Sequence, residues 1–258
     1  MTPPILRPLS MGEILDTSFS LYRRHFGALA TVALVCTGIP LLLRLFLEAS
    51  GGLFTSVPLF LLYLISLVVL SLVATGATVF IVAESYLGRP ISAREALSRA
   101  TPYLGRILIC SLLMSLVVGL GFVLLVIPGI ILGVGLALAV PAVVLEPGMS
   151  PSAALSRSWE LTRGSRWRIF GLGLTLLVLL YVPFVAVTGL FALILPRATV
   201  DALGQASVGS IVALSIGGLV QMLIYPLFYC VLTVTYYDLR VRKEGFDLEL
   251  LASSLQTA

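Results

Sequence analysis

The chain has 258 residues, of which 59% are hydrophobic and 11% charged, and its mean hydropathy is +1.11. Soluble domains average about 45–50% apolar and about 25% charged residues. The composition therefore excludes an ordinary soluble domain, a disordered chain and a collagen-like fibre. Helices that cross a bilayer need about 20 residues each, so this chain has room for six of them. We predict an all-α integral membrane protein.

Apolar stretches along the chain predict six transmembrane helices arranged as three hairpins. We expect the second hairpin to turn at Pro128-Gly129 alone and the third to turn at residues 196–201. Proline removes a backbone donor from a helix, so Pro183 and Pro226 should kink the fifth and sixth spans. The predicted spans are 28–47, 57–86, 107–127, 130–146, 169–195 and 209–239.

A short segment of another kind precedes each predicted hairpin, and its apolar residues recur at helical spacing. Each segment opens with a serine that is placed to cap a helix: Ser10, Ser92 and Ser150. Glu13 and Glu95 stand three residues after the first two serines and predict capping boxes. Pro151 takes the first helical position of the third segment, where its missing N–H costs nothing. We therefore predict an amphipathic helix before each hairpin.

A fixed offset of 58 residues aligns the second of these segments with the third. With the segment before the first hairpin, this predicts a threefold internal repeat over about 8–88, 89–147 and 148–244. The repeats would form one polytopic membrane domain over 1–244, followed by a short cytoplasmic tail at 245–258. The matched pairs are Ser92/Ser150, Ala96/Ala154, Leu97/Leu155, Ser98/Ser156 and Arg99/Arg157.

The distribution of positive charge predicts the topology. Of the 16 lysines and arginines, all but Arg44 and Arg197 fall on one side of the predicted spans. Cytoplasmic segments carry an excess of these residues. Both termini and all three amphipathic helices are therefore expected in the cytoplasm.

Three acids stand at the cytoplasmic ends of the second, fourth and sixth predicted spans, one per repeat. Ionisable groups near a membrane interior are costly and often functional, so these acids could form a ring that binds a cation or protons. The alternative, which we favour, is that each acid pairs with a nearby arginine, such as Arg240 or Arg242. The acids are Glu84, Glu146 and Asp238.

Arginines on the same side are candidates for contact with anionic lipid headgroups. The net charge of +4 is concentrated along the predicted membrane surface. It therefore points to membrane lipids rather than nucleic acid as partners, and a protein partner stays open. The candidates are Arg94, Arg99, Arg157, Arg163, Arg166 and Arg168.

Residues suited to catalysis or metal binding are sparse. Cys36, Cys110 and Cys230 each stand alone in an apolar stretch, without the spacing of a metal or redox motif. His25 is the single histidine, and one histidine cannot build a zinc site alone. We predict no cofactor.

Several motifs resemble the membrane-domain family of bacterial glycerophosphoryl diester phosphodiesterases. The resemblance extends over about residues 7–250 and implies the bacterial cytoplasmic membrane as the location. It is carried by RPLSMGEILD at 7–16, by Glu146 with ALSRSW at 154–159, and above all by YYDLRVRKEGFD at 236–247.

Members that give this family its name join such a membrane region to a soluble phosphodiesterase barrel. A barrel of that kind would need roughly 250 additional residues and a metal site with more than one histidine. His25, in the sequence Arg24-His25-Phe26-Gly27, does not match the His-Arg-Gly start of the catalytic motif. The resemblance therefore implies a membrane module and no enzyme.

Three functions fit these observations, and we favour the first. It is a non-catalytic membrane module that organises lipid or a partner protein through the basic amphipathic helices. The second is a transporter or channel for a small or lipid-like substrate, although the predicted spans carry no charged residue at mid-membrane depth. The third, an intramembrane lipid enzyme, lacks a nucleophile–base pair and metal ligands.

Overall fold

The computed structural model describes residues 7–50, 56–194 and 208–248. These residues form helices and connections, with no strand among them. The helices are α1 Met11–Arg24, α2 Phe26–Ala49, α3 Val57–Tyr86, α4 Ala93–Ala100, a 3₁₀ turn Thr101–Tyr103, α5 Leu104–Leu124, α6 Val126–Leu136, α7 Ala139–Leu145, α8 Pro151–Thr162, α9 Arg166–Ile194 and α10 Val208–Glu244.

The described residues contain six helical stretches long and apolar enough to cross a membrane. Large apolar side chains stay exposed along them, and Val123 is 84% exposed. Lipid, unlike water, accommodates such a surface without cost. The chain is a multi-pass membrane protein. The stretches are Phe26–Ala49, Val57–Tyr86, Ala93–Leu124, Val126–Leu145, Arg166–Ala186 and Ser215–Glu244.

The turn between the third and fourth spans lies earlier than the sequence predicted. Helix α5 ends at Leu124, Leu125 is extended, and α6 begins at Val126. Pro128 therefore lies in the first turn of α6, where a backbone N–H has no partner to lose. Gly129 allows close packing instead, because a β-carbon on it would lie 2.5 Å from the Phe122 ring.

The fourth span is interrupted at residues 137–138, a break that hydropathy did not predict. Two hydroxyl groups of α8 satisfy the backbone groups that the break releases. Leu138 donates its N–H to Ser158 Oγ at 3.1 Å. Gly135 O accepts from Ser158 at 2.8 Å and from Thr162 at 3.1 Å. All of these groups are buried, so α8 stabilises the interruption without help from solvent.

The three short helices α1, α4 and α8 begin at the expected serines. Ser10 and Glu13 form a complete capping box, and Ser150 accepts from the N–H of Ala153 at 3.2 Å. Ser92 accepts from the N–H of Glu95 at 3.2 Å, but the second predicted capping box is only half formed. The Glu95 carboxylate pairs with Arg99 at 2.7 Å instead.

Helix α10 organises the interior, because it contributes to both hydrophobic clusters of the bundle. Cys230 and Val234 belong to one cluster, and Tyr236 and Leu239 to the other. All three cysteines are buried and free. Each helix of the bundle is therefore placed, directly or through a neighbour, against α10.

The last two spans also extend beyond their predicted limits. Helix α9 begins at Arg166, and α10 runs through Pro226 and continues to Glu244. Ion pairs at (i, i+4) spacing support the polar end of α10 beyond its apolar stretch. The predicted turn at 196–201 lies outside the described residues, as does the Pro183 side chain, and the kinks stay predictions.

Candidate functional site at the basic end

The helices α1, α4 and α8 and the adjoining ends of α3, α5, α7, α9 and α10 form what we call the basic end of the bundle. Its most buried charge is the carboxylate of Asp238, which is fully buried. Asp238 accepts from Arg168 at 2.8 Å, from Arg242 at 3.1 Å and from the backbone N–H of Leu9 at 2.7 Å. A buried carboxylate requires such partners, because an unpaired charge in this position would be strongly destabilising.

The same two arginines also bind the backbone carbonyl of Leu9. Arg168 and Arg242 both donate to Leu9 O, the latter at 2.6 Å. Asp238, Arg168, Arg242 and the backbone of Leu9 therefore form a closed unit, which we call the Leu9 clamp. It fastens the start of α1 to α9 and α10.

Arg157 of α8 forms a second network that joins α7 to α10. Its guanidinium lies 2.8 Å from the Glu146 carboxylate and 2.5 Å from the Glu244 carboxylate. Tyr236 donates to the same Glu146 at 2.7 Å, and Arg240 donates to Glu244 at 3.1 Å. Hydrogen bonding to Glu244, and then to Glu146, raises the pKa of Arg157 against the opposing effect of burial. Arg157 therefore remains charged at any physiological pH.

Glu84, at the end of α3, takes part in a third and more open network. Its carboxylate lies 3.3 Å from Arg89 and 3.3 Å from Arg99, and Arg99 also pairs with Glu95. Exposed pairs of this type contribute little to stability, about 0–1 kcal/mol each.

The three predicted acids are thus each paired with arginine, and consecutive residues of α10 connect their surroundings. Tyr237 stacks on Tyr86, two residues beyond Glu84, at 5.5 Å between ring centroids. Tyr236 reaches Glu146, and the third acid, Asp238, is next in the chain. Each acid is therefore neutralised by its own arginine partners. Binding of a cation or protons by the three acids together stays a prediction.

Lys243 of α10 stabilises the end of α8. Its ammonium group donates to the carbonyl of Glu160 at 3.0 Å and to that of Arg163 at 2.5 Å. The last carbonyls of a helix lack intrahelical partners and carry partial negative charge, so a cation is favourable there.

Several arginines of the basic end are exposed and form no ion pair with an acid among the described residues. Two of the six predicted lipid contacts, Arg94 and Arg163, belong to this set. Arg99, Arg157 and Arg168 are instead engaged with acids. The exposed arginines without an acid partner are Arg23, Arg24, Arg94, Arg106 and Arg163.

Arg166, the sixth predicted lipid contact, has a different environment. Its guanidinium lies 3.6 Å from the centre of the Trp159 ring, a cation–π contact. Its Nε atom is buried and has no hydrogen-bond partner among the described residues. The next residue, Trp167, is 86% exposed, as expected for a tryptophan at a membrane interface.

An apolar cavity of about 340 Å³ opens between α9 and α10 within their membrane-spanning parts. We call it the α9–α10 cleft. Beside it, the Tyr225 hydroxyl lies 2.5 Å from Thr75 Oγ1 of α3, so that its polar group is already satisfied. The cleft is lined by Gly173, Leu176, Leu177, Leu180, Tyr181, Ile224, Tyr225 and Phe228.

Sequence reasoning missed Glu244, Lys243 and the backbone of Leu9. The (i, i+4) spacing of Asp238 with Arg242, and of Arg240 with Glu244, was a usable signal for the first of these. No local pattern indicates that the peptide of Leu9 reaches Asp238, because the two are 229 positions apart.

His25, the single histidine, lies at the junction of α1 and α2. Burial, and then the neighbouring charge of Arg24, lowers its pKa. A histidine with a lowered pKa is neutral at pH 7. Within the described part of the chain, no group of three or more histidines, cysteines or acids could hold a metal ion.

Comparison with known proteins supports the resemblance seen in the sequence. A UPF0259 membrane protein of Pectobacterium carotovorum is 34% identical over 91 residues, which are 35% of this chain and 36% of the relative. The match thus spans about a third of that curated relative. No solved structure shows significant similarity to the chain.

The family described as the membrane domain of glycerophosphoryl diester phosphodiesterase matches residues 108–252. This range covers more than half of the chain and includes Glu146, Arg157 and Asp238. The comparison reaches the membrane part of the family and no catalytic domain. The chain belongs to the family of the glycerophosphoryl diester phosphodiesterase membrane domain.

Proposed function

We propose that this protein is a non-catalytic membrane module that binds and organises anionic lipid at its basic end. The observation that carries the proposal is a difference between two sets of arginines at the basic end. One set is neutralised by acids of the protein itself. The other set is exposed and has no acid partner among the described residues, which leaves its charge available to lipid.

The physical basis is the attraction between arginine and anionic headgroups. Each arginine near an anionic membrane surface contributes about 1 kcal/mol, and salt screens the interaction. Arg94 and Arg106 lie at the start of the third span, and Arg163 lies just before the fifth span, so they present positive charge to lipid at two places on the bundle. Acids are absent from their side-chain contacts in the described residues, and nothing there offsets their charge.

The proposal includes an architecture and an orientation. We propose one domain over 1–244, built from three repeats at about 8–88, 89–147 and 148–244, with a tail at 245–258. Each repeat is a cytoplasmic amphipathic helix followed by a transmembrane hairpin. The serine caps of α1, α4 and α8 and the asymmetry of positive charge support this arrangement, with both termini in the cytoplasm of a bacterium.

Lipid binding is tested by comparing two triple variants that remove the same charge. The first replaces Arg94, Arg106 and Arg163 by glutamine. The control replaces Arg7, Arg89 and Arg99, which are also exposed but pair with acids. Native mass spectrometry counts adducts of phosphatidylglycerol and phosphatidylcholine at two salt concentrations.

The first variant should lose phosphatidylglycerol affinity by at most about 3 kcal/mol at low salt, a factor of roughly 150. The control should lose clearly less, and phosphatidylcholine adducts should change little in either. Equal losses in both variants would mean that net charge alone attracts lipid, and unchanged adducts in the first variant would refute the proposal. Co-purification of a stoichiometric protein in place of lipid would favour a protein partner.

Orientation is tested by cysteine labelling in intact cells. Single cysteines at Gly52, Thr199 and Ser253 are placed in a background without the three native cysteines. An impermeant reagent should label the first two positions and leave the third unlabelled. Labelling at Ser253 would overturn the proposed orientation.

The absence of catalysis is tested directly. Purified protein, supplied with glycerophosphodiesters and divalent metals, should release no more product than a buffer blank. Turnover that disappears in a His25→Ala variant would refute the non-catalytic assignment.

A second candidate, transport of a lipid-like substrate, is favoured by the α9–α10 cleft. The cleft lies at membrane depth and would admit an apolar molecule from the bilayer. Reconstituted protein that accelerates movement of a fluorescent phospholipid between leaflets would support this function over the module.

A further inference from the structure

We infer that the α9–α10 cleft holds one acyl chain of a phospholipid whose phosphate binds Arg166. The inference deepens the proposed function, on which it rests, by assigning a defined lipid position. It commits to a phospholipid of the leaflet at the basic end.

The register of α9 places Arg166 above the cleft. Gly173 follows Arg166 by seven residues and Leu177 by eleven, and both spacings return a helix to the same face. At about 1.5 Å per residue, Gly173 lies about 10 Å below Arg166, and Tyr181 lies about 22 Å below it. Cation and cleft are thus aligned along one side of the helix.

These depths correspond to the tail region of one leaflet. The hydrocarbon core of a bilayer is about 30 Å thick, so one leaflet contributes about half of that. With Arg166 and the exposed Trp167 at the headgroup level, the cleft extends from the upper part of the tails to about the bilayer centre. An acyl chain that leaves a phosphate at Arg166 would pass directly into it.

No acid among the described residues neutralises the charge of Arg166, so an anion from outside the protein would be favourable there. Its ring contact with Trp159 fixes the guanidinium at 3.6 Å, and its Nε atom is buried without a hydrogen-bond partner among the described residues. Guanidinium groups bind phosphate with charge-assisted hydrogen bonds. A phosphate is therefore the matching group at this position.

The cleft itself calls for an apolar occupant. Its walls are aliphatic and aromatic, and the Tyr225 hydroxyl already contacts Thr75. An apolar cavity offers water too few hydrogen bonds to be filled by it. A phospholipid combines the phosphate and the apolar chain in one molecule.

The test uses full-length protein with phosphatidylglycerol that carries a photoreactive group midway along one acyl chain. After illumination, crosslinked peptides are mapped by mass spectrometry. We expect crosslinks at Leu176–Tyr181 and Ile224–Phe228 that exceed those on the lipid-exposed residues Leu116 and Leu120 of α5. Equal labelling of all lipid-exposed surfaces would overturn the inference.

Gly173→Leu tests the cleft, because a β-carbon at Gly173 would meet nothing within 4 Å and the added side chain would fill the space. Gly189→Leu is its control, since a β-carbon there also meets nothing within 4 Å on the same helix, outside the cleft. Crosslinks in the cleft should fall roughly tenfold in the first variant and stay unchanged in the second. If Gly173→Leu fails to fold, Leu177→Trp, at a position 57% exposed, blocks the cleft by a second route.

Arg166→Gln tests the headgroup contact and should lower crosslinking in the cleft roughly tenfold. Unchanged cleft crosslinks in Gly173→Leu, Leu177→Trp or Arg166→Gln would each overturn the inference. The proposed function fails separately, if the Arg94, Arg106 and Arg163 triple variant retains all of its phosphatidylglycerol adducts. The two failures are therefore distinguishable.

Discussion

Helices α4 and α8 carry the same short sequence pattern 58 residues apart and use it differently. Arg99 of α4 is 44% exposed and pairs with Glu84 and its own helix neighbour Glu95. Arg157, at the matched position of α8, is 24% exposed and joins Glu146 to Glu244 of the last helix. Arg99 joins two helices, α4 and α3, at an exposed position, whereas Arg157 connects three helices at a partly buried one.

The position one residue further along shows a second difference. Ala100 of α4 and Ser158 of α8 match at the same offset, and both are fully buried. The Ser158 hydroxyl accepts from Leu138 and donates to Gly135, so it supports the interrupted fourth span. The Ser158 hydroxyl, together with that of Thr162, thus gives α8 a role in stabilising a neighbouring helix that Ala100 cannot give α4. Sequence similarity between the two segments indicates similar placement and does not indicate equal contribution to stability.

Arg157→Gln should have the largest effect on stability. It would leave Glu146 and Glu244 without their shared partner in a partly buried site, at a cost of about 3 kcal/mol. Arg99→Gln should cost less than about 1 kcal/mol, because its pairs are exposed. Equilibrium unfolding of both variants in mixed micelles measures the difference, and equal losses would show that α4 and α8 are equivalent.

Gly135→Ala should destabilise the contact between α6 and α8 by about 2 kcal/mol. The added β-carbon would lie 2.5 Å from two ring atoms of Trp159, and the ring cannot move aside as a flexible chain end could. Gly133→Ala is the control, since its β-carbon would meet Val118 at an ordinary 3.8 Å. Unfolding measured in the same micelles should leave the control at or above the stability of the natural protein. A neutral Gly135→Ala would mean that Trp159 does not constrain α6.

Ser158→Ala should cost about 1–2 kcal/mol, because the buried N–H of Leu138 loses its acceptor. Gly135 O keeps its bond from Thr162, which limits the loss. Ser98→Ala, at an exposed position of α4, should change stability by no more than about 0.5 kcal/mol. Amide exchange at Leu138 should accelerate in Ser158→Ala and not in Ser98→Ala. Unaltered exchange in both would remove the assigned role of the hydroxyl.

The smallest expected effect concerns pH and extends the comparison to α1. The backbone hydrogen bond from Ser10, and then the contact with Arg7, lowers the pKa of Glu13 to about 2. A carboxyl group with a lowered pKa contributes stability above its ordinary value of about 4.3, and the contribution disappears as pH falls toward 2. In NMR spectra of serine-labelled protein, the chemical shift of the Ser10 amide should therefore change near pH 2, as the Glu13 carboxylate that accepts its hydrogen bond is protonated. The chemical shift of the Ser92 amide should not change in this way, because the Glu95 side chain pairs with Arg99 and does not accept from the Ser92 N–H. The same change at both amides would contradict the half-formed capping box of α4.

The sequence was sufficient for features that depend on local pattern. Six apolar stretches, the capping serines Ser10, Ser92 and Ser150, and the proximity of acids to arginines could all be read from residue type and spacing. The spans depend on hydropathy and the caps on residues within one helical turn. Among the arginine pairs of the three predicted acids, only Asp238 with Arg242 has such local spacing, and the sequence indicated the others only as a shared side of the membrane. The family resemblance likewise came from contiguous motifs, and the match over 108–252 confirms it for that part of the chain.

Other features could not be read in this way, for physical reasons. The break at 137–138 lies in a uniformly apolar stretch, and its support comes from hydroxyls some 20 residues away. Pro128 is equally compatible with a turn and with the first turn of a helix, so its sequence context could not decide between them. The α9–α10 cleft is a space between two helices, and a hydropathy profile describes each helix alone, so it does not predict the cleft.

The Leu9 clamp has a consequence for the order in which the chain assembles. Leu9 leaves the ribosome long before Arg242, which stands 233 positions later, so its peptide waits for its partners through the insertion of every span. Contacts between distant parts of a chain form late, because the intervening loop must first be closed. The N-terminal segment should consequently stay accessible to proteases until α10 is in place. Protection of this segment from proteolysis would then mark the completion of the membrane bundle during biosynthesis.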